Sequence, residues 1–448
     1  MISRRIFLTL PLLGTASQIL IMAPSVLAAE GAQGGPTVTV LTKVTGSGEI
    51  LAGLALAYDQ PVASAKLKTA DFAVANRHIT KVYANSVADF ASKGTDGRFV
   101  IIELSATDPA ASLYGLEKPK GEPPKAAGAK PPNGPPPGGM PKILRTPASA
   151  VVTQTQPING ADGKSIPSTK AAMMASGTKR LVVDDFQQRS FTHAESGVVL
   201  KYNLFVPKML EANKKYPLVN FMHDAGATSD VADTTLVQGL GAISFANPVD
   251  QAKHPAFVLA PQFSRQVVDD LSKATAELDA VVVLIQELAK EFPIDTNRLY
   301  TTGQSGGGMM SIAMNIKYPD FFAASFLVAC QWDPTLVAPL AKDKLWVVVS
   351  EGDTKAFPGQ NAIMSAVTKL GAKVSHVQWK GTYSQPQFAK AAAALAAKPG
   401  NIKYVSLDKT TVVPNGVSDD PGAQHINTWR IAYDIPGIRD WLFQQHKA

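Results

Sequence analysis

Thiol chemistry is nearly missing from this 448-residue chain, whose one cysteine is Cys330. That excludes an intramolecular disulfide framework and any cysteine-based metal cluster. Charge is also sparse, with 18% charged residues against 45% hydrophobic ones. Such a chain is neither mainly disordered nor collagenous, and it has ample material for a large core. At roughly 100–200 residues per domain, two or three domains are expected. The formal charge of +7 invites a nucleic-acid partner until its location is traced. Arg4 and Arg5 take two of the seven, and five Lys against two Glu within 117–142 take three more, leaving +2 for the rest. No folded part is strongly basic, so nucleic-acid binding is not expected.

Residues 1–29 have the layout of an export signal: basic Arg4 and Arg5, an apolar stretch from Ile6 to Leu27, then Ala28 and Ala29. The run Ser3-Arg4-Arg5-Ile6-Phe7-Leu8 resembles a twin-arginine signal; the alternative is an ordinary secretory signal. A membrane anchor would need a nearly unbroken apolar run, and Pro11, Gly14, Ser17, Gln18, Pro24 and Ser25 interrupt this one. The expectation is cleavage near Ala28 or Ala29, no membrane association afterwards, and a periplasmic or extracellular protein.

Two textures follow. Over 36–180 the pattern is β, with alternating or apolar runs at Thr37–Leu41, Leu51–Tyr58, Ile79–Tyr83 and Arg98–Leu104. Short strands about ten residues apart predict an antiparallel sandwich. The Pro- and Gly-rich stretch 117–142 reads as a flexible insertion inside this domain, because Ser149–Gln156 resumes as a further strand. Over 181–448 short buried-type strands (218–222, 256–260, 299–302, 324–329, 345–350) alternate with helical stretches. In 274–291, Leu278, Val281, Val282, Ile285 and Leu288 recur on one helical face. This predicts an α/β domain, a mainly parallel sheet with helices on both faces and chemistry at the strands' carboxyl ends.

After the strand 299–302 stands Gly303-Gln304-Ser305-Gly306-Gly307, a G-x-S-x-G turn leading into a helix through about Lys317. Such an elbow presents a strained serine to the top of an α/β-hydrolase sheet, and the order serine, acid, histidine follows. A serine hydroxyl is a poor nucleophile without an oriented base. Of the three histidines after Ser305, His376 sits in an expected strand and His446 near the chain end. His425, read as lying in the loop Asp419–His425, is the expected base. Asp353 follows the strand 345–350 and is the expected acid; Asp333 is the runner-up. The amide of Gly306 and one from the loop His223-Asp224-Ala225-Gly226 are the expected oxyanion donors. His223 itself is read as a structural hydrogen-bonding residue.

Tyr300–Ser305 with its following Gly-Gly-Met-Met, Phe221–Gly226, Ser350–Asp353 and His425–Arg430 resemble secreted bacterial α/β-hydrolase esterases with an immunoglobulin-like N-terminal domain. Members are labelled predicted peptidases or polyhydroxybutyrate-depolymerase-type esterases. Ile79–Tyr83 and Val100–Leu104 look like that family's first domain. The resemblance implies an all-β immunoglobulin-like sandwich preceding an α/β-hydrolase fold. It also implies Ser305, Asp353 and His425 as catalytic residues and the amides of Gly306 and Ala225 for the oxyanion. His223-Asp224 replaces the His-Gly of many relatives, and 117–142 is longer than the family needs. Gln304, Gln331 and Trp332 are taken as pocket residues. The resulting expectation is a serine esterase acting on a small or polymeric ester, with no metal or organic cofactor. A peptidase with the same triad, or a noncatalytic envelope or binding protein, are the alternatives.

Overall fold

In the N-terminal region, apolar positions alternate along extended runs, so each strand buries one set of side chains against a facing sheet. The computed structural model describes residues 35–117, 142–168 and 170–447; the leader and 118–141 lie outside them. The strands are β1 (Thr37–Thr45), β2 (Gly48–Val62), β3 (Phe72–Val74), β4 (Ile79–Asn85), β5 (Gly97–Leu104), β6 (Tyr114–Glu117), β7 (Lys142–Arg145), β8 (Val151–Gln154), β9 (Ile158–Asn159), β10 (Ser165–Ile166), β11 (Ala172–Met174) and β12 (Gly177–Arg180). A five-stranded sheet, β12-β1-β2-β5-β4, faces a three-stranded one, β11-β8-β3. Val38, Val40, Leu54, Leu56, Val100 and Ile102 fill the space between with Phe72, Val74 and Val152. The antiparallel expectation needs one correction: β12 runs parallel to β1, because the chain returns to the sheet edge on its way out. Strands β6 and β7 pair antiparallel, with Glu117 opposite Lys142, so 118–141 connects two hydrogen-bonded strands.

The second region has strands β13 (Phe186–Thr192), β14 (Val199–Phe205), β15 (Tyr216–Met222), β16 (Phe257–Gln262), β17 (Ile294–Gln304), β18 (Ala324–Val328), β19 (Leu345–Ser350), β20 (Val374–Lys380) and β21 (Ile402–Asp408). Its helices are α1 (Thr234–Val237), α2 (Gly241–Ala246), α3 (Pro248–Lys253), α4 (Glu277–Glu291), α5 (Gly306–Lys317), α6 (Ala356–Lys369), α7 (Gln385–Ala396), α8 (Pro421–Ala432) and α9 (Pro436–Phe443). The strands form one nine-stranded sheet, β13-β14-β16-β15-β17-β18-β19-β21-β20, parallel from β16 to β20. Apolar side chains of α4, α5 and α6 cover one face, and those of α2, α7 and α9 cover the other. The predicted face of α4 is buried throughout. The connections β15–α1, β17–α5, β18–β19, β19–α6 and β21–α8 therefore gather at the carboxyl edge of the sheet.

The two regions lie in one compact unit, 36–448. The turn between β1 and β2 reaches the second region: Val44 joins its apolar core. Gly46 approaches Arg430 of α8 so closely that a Cβ would lie 2.3 Å from Cγ of the arginine. Beside this contact, two carboxylates and two guanidinium groups close across the boundary. Arg180 donates to Glu49 Oε1 at 3.0 Å and to Asp233 Oδ2 at 2.5 Å, while Arg145 donates to both Asp233 oxygens at 2.5 and 3.2 Å. Glu49 and Asp233 are buried, and the two arginines hold the carboxyl of Asp233 below its ordinary range against the upward push of burial.

Removing one partner of a buried ion cluster leaves uncompensated charge, at about 3–5 kcal/mol. Asp233→Ala should therefore lower Tm by roughly 4–6 °C for a unit of this size. A thermal melt that moves by under about 1 °C would place the strength of the boundary in its apolar contacts instead.

Candidate active site

Strand β17 delivers the elbow. Ser305 caps α5 with φ 52° and ψ −123°, a backbone conformation in which a side chain is strained. Glycine is required around it. A Cβ on Gly307 would sit 1.9 Å from the carbonyl oxygen of Met222, at the end of β15. Ser305 is thereby held at the start of α5, whose first amides have no intrahelical partner.

Helix α8 brings the histidine. The Asp420 side chain accepts from the Ala423 amide at 2.9 Å and Pro421 occupies the first turn, so the helix begins well before His425. The expected loop is corrected to a helix. Pro-Gly reads as a chain breaker, yet proline suits the first helical position because no amide is needed there. His425 Nε2 lies 2.8 Å from Ser305 Oγ, and Nδ1 lies 2.5 Å from Asp353 Oδ2. An ionised carboxylate only accepts, so Nδ1 carries the proton and Nε2 is left to accept from the serine. Asp353 is 3% exposed, and its Oδ1 accepts from the amides of Ala356 (2.8 Å) and Lys355 (3.0 Å). Burial raises its pKa, but His425 and these amides outweigh that and hold it below the ordinary carboxylate range.

The other expected residues divide. Asp333 is turned away: its carboxylate accepts from the amide and hydroxyl of Thr335 at 2.8 and 2.7 Å. Gly306 and Ala225 meet, with the Ala225 nitrogen 3.3 Å from where a Gly306 Cβ would stand. Among the described residues neither amide has a hydrogen-bond partner. Trp332 is 6% exposed and packs in the core with Val337 and Leu340, a correction to its place as a pocket wall. Gln304 is likewise buried rather than cleft-facing, because its amide is taken by Asp224 Oδ2 (3.1 Å) and Gln238 Oε1 (3.2 Å). Gln331 is part-buried and reaches Asp270 Oδ1 at 3.4 Å.

His223 is a hydrogen-bonding residue of the loop, as expected, while the other supporting residues were not foreseen from the sequence. His223 Nε2 accepts from the Phe263 amide at 3.0 Å, which makes Nδ1 the donor to the Asp224 carbonyl at 2.7 Å. Full burial pushes its pKa down and keeps the ring neutral. Asp224 Oδ1 accepts from Gly226 N at 2.7 Å, so this carboxylate ties the loop at Ala225 to the residue before the serine. Gln424 accepts from Ser350 Oγ at 2.5 Å and anchors α8 to the turn that bears Asp353. Trp429 meets the His425 ring edge-on, with centroids 5.1 Å apart. Only an i, i+4 aromatic spacing hinted at that contact. Beside Gly306 and Ala225 opens a cavity of about 10 Å³, walled by Phe263, Val267, Val268 and Met310.

Comparison with known proteins agrees with this layout. Residues 37–167 match the family described as the esterase Ig-like N-terminal domain, and 262–338 match the prolyl oligopeptidase family. No curated protein sequence matches. The crystal structure of a thermostable esterase is 26% identical, with a TM-score of 0.72, covering 92% of this chain and 100% of that one. The chain is an α/β-hydrolase of the esterase class with an immunoglobulin-like N-terminal domain. A feruloyl esterase module from Clostridium thermocellum, complexed with sinapinate, is more distant: 13% identity, TM-score 0.36, covering 56% of this chain and 87% of that one.

The depressed pKa of Asp353 has a pH consequence in this esterase-class chain. A group with a lower folded than unfolded pKa stabilises the fold above the unfolded value and loses that contribution as pH falls through the folded one. Below the ordinary value of 3.8, wild-type Tm should fall more steeply than that of Asp353→Asn. Parallel acid limbs in the two melts would show that this carboxyl is not stabilised in the fold.

Proposed function

We propose that this chain is an exported serine esterase that cleaves carboxylic esters through an acyl-enzyme. The observation that carries the reading is the continuous relay from buried Asp353 through His425 to Ser305. Ser305 Oγ attacks the ester carbonyl as His425 Nε2 takes its proton, and the alcohol departs with that proton. Water then repeats the sequence on the acyl-enzyme. The free amides of Gly306 and Ala225 receive the developing oxyanion, a contribution of about 2.7–4 kcal/mol per donor. Asp224 and Gln304 hold the Ala225 loop against the elbow. Export rests on the leader 1–29. The match of 262–338 to the prolyl oligopeptidase family favours a second reading, a peptidase using the same three residues.

Ser305→Ala should abolish labelling by a fluorophosphonate and lower kcat by on the order of 10⁴–10⁶, with an unchanged melt. Retention of more than a tenth of the wild-type rate would overturn the assignment. Parallel ester and peptide panels decide between the two readings. Asp353→Asn should cost on the order of 10⁴ in kcat, because an amide selects the wrong tautomer, while Asp333→Asn should stay within about tenfold. The reverse ranking would transfer the acid role to Asp333.

The small cavity sets the acyl size. A leaving oxygen must lie within reach of His425, so a cavity lined by both oxyanion amides and by no residue of α8 lies on the acyl side. It has room for about one water-sized group. Among p-nitrophenyl esters, kcat/KM should be highest for the acetate and fall at least tenfold by the octanoate, and Met310→Ala should shift the optimum to longer chains. A wild-type enzyme fastest on octanoate would show that the acyl chain lies elsewhere, leaving the triad untouched.

A further inference from the structure

The end of the sheet opposite Ser305 holds a second concave site. Because β19, β20 and β21 are parallel, their amino ends gather at one edge. Lys344 precedes β19, Lys373 precedes β20, Lys403 is the second residue of β21, and Lys398 lies between α7 and β21. With Asn401 and Gln444 they line a pocket of about 540 Å³, within the range of small-molecule sites. Lys403 is 2% exposed, and its ammonium donates to the backbone carbonyl of Lys398. Lys344 donates to the backbone carbonyl of His446 at 2.7 Å, and among the described residues no carboxylate forms an ion pair with any of the four lysines.

This arrangement is costly as it stands. Burying an ammonium without a counter-charge is unfavourable, and the like charge of Lys398 adds repulsion. Burial, and then Lys398, push the pKa of Lys403 down. The neighbouring acid in sequence, Asp343, forms no ion pair with these lysines, and burial and then Asp320 push its pKa up to about 7. General basicity is not the explanation either, because outside the leader and 117–142 the chain carries only +2 of its formal +7.

We propose that this pocket binds a multiply charged oxyanion, held by the ammonium groups of Lys344, Lys373 and Lys398 around the buried Lys403. Lysine serves as a mobile point charge for phosphate, sulfate or carboxylate groups, and a ligand bearing several of them would neutralise the cluster. The site is distinct from the hydrolytic one and requires no chemistry there.

The test uses the full mature chain and calorimetric titration with inorganic tripolyphosphate and, separately, citrate, at fixed ionic strength. The two probes distinguish phosphate from carboxylate sources. At least one should bind with Kd below about 1 mM, and a hundredfold excess over Kd should raise Tm by about 3 °C. The double variant Lys373→Ala/Lys398→Ala, at two exposed positions, should weaken binding at least tenfold while p-nitrophenyl acetate hydrolysis stays at the wild-type rate. Lys403→Met provides a second variant and should melt no lower than wild type without ligand while losing the ligand-induced shift. Binding of neither probe to the wild type, or undiminished binding to the double variant, overturns the proposal.

Discussion

The approach of Gly307 to the carbonyl of Met222 is the constraint on which the site depends. At 1.9 Å from that oxygen, the place of a Cβ must be empty, so α5 can start directly against the end of β15. Two carboxyl ends of neighbouring parallel strands are thereby brought to one point. Ser305 then stands next to the loop that bears Ala225, and the amides of Gly306 and Ala225 converge without either being consumed by the helix or the sheet. Strain at Ser305 is the local cost of this geometry, carried by the buried end of β17 and the buried first turns of α5.

From this contact a series of buried polar groups runs outward. His223 fixes the Asp224 carbonyl, the Asp224 carboxylate fixes Gly226 and receives Gln304, and Gln304 also meets Gln238 just beyond α1. At the start of α1 stands Asp233, held by Arg145 and Arg180 of the first region. On the other flank, Gly46 in the β1–β2 turn packs against Arg430, one turn and a half after His425 on α8. The immunoglobulin-like region thus abuts both the support of the Ala225 loop and the histidine's helix. Each link is a hydrogen bond or close packing contact, so displacement of that region would be felt on both sides of Ser305.

The elbow was legible in the sequence because its requirements are local: glycines at set positions between an apolar run and a helix. The strands β15 to β19 were legible because their buried stretches are short and mainly apolar. Strands β13 and β14 were not anticipated. They pair antiparallel at the sheet edge, and half-exposed runs such as Phe186–Thr192 carry weak periodicity. Strand β21 was also missed, since its buried Lys403 and Ser406 interrupt the apolar run. The start of α8 was not legible because Asp419-Asp420-Pro421-Gly422 has a turn-like composition, whereas Asp420 caps the helix and Pro421 fits its first turn. Trp332 and Gln304 are expected in the pocket only through their nearness in sequence to Asp333 and Ser305. Trp332, in the segment after β18, turns into the core, and Gln304, at the end of β17, is held by Asp224 and Gln238, so nearness in sequence does not place either side chain in the cleft.

Three buried charges show how differently the fold treats ionised groups. Asp353 is surrounded by three donors, the histidine and two amides, and its charge is aimed along one of them. Asp233 is neutralised by two guanidinium groups, an arrangement suited to joining surfaces rather than to proton transfer. Lys403 has a carbonyl dipole as its partner and shares its pocket with Lys344, Lys373 and Lys398. In a chain with few charged residues, the first two are compensated from within the fold. The third is not, and an uncompensated buried charge that persists beside an open pocket is most economically explained by a counter-charge supplied from outside the chain.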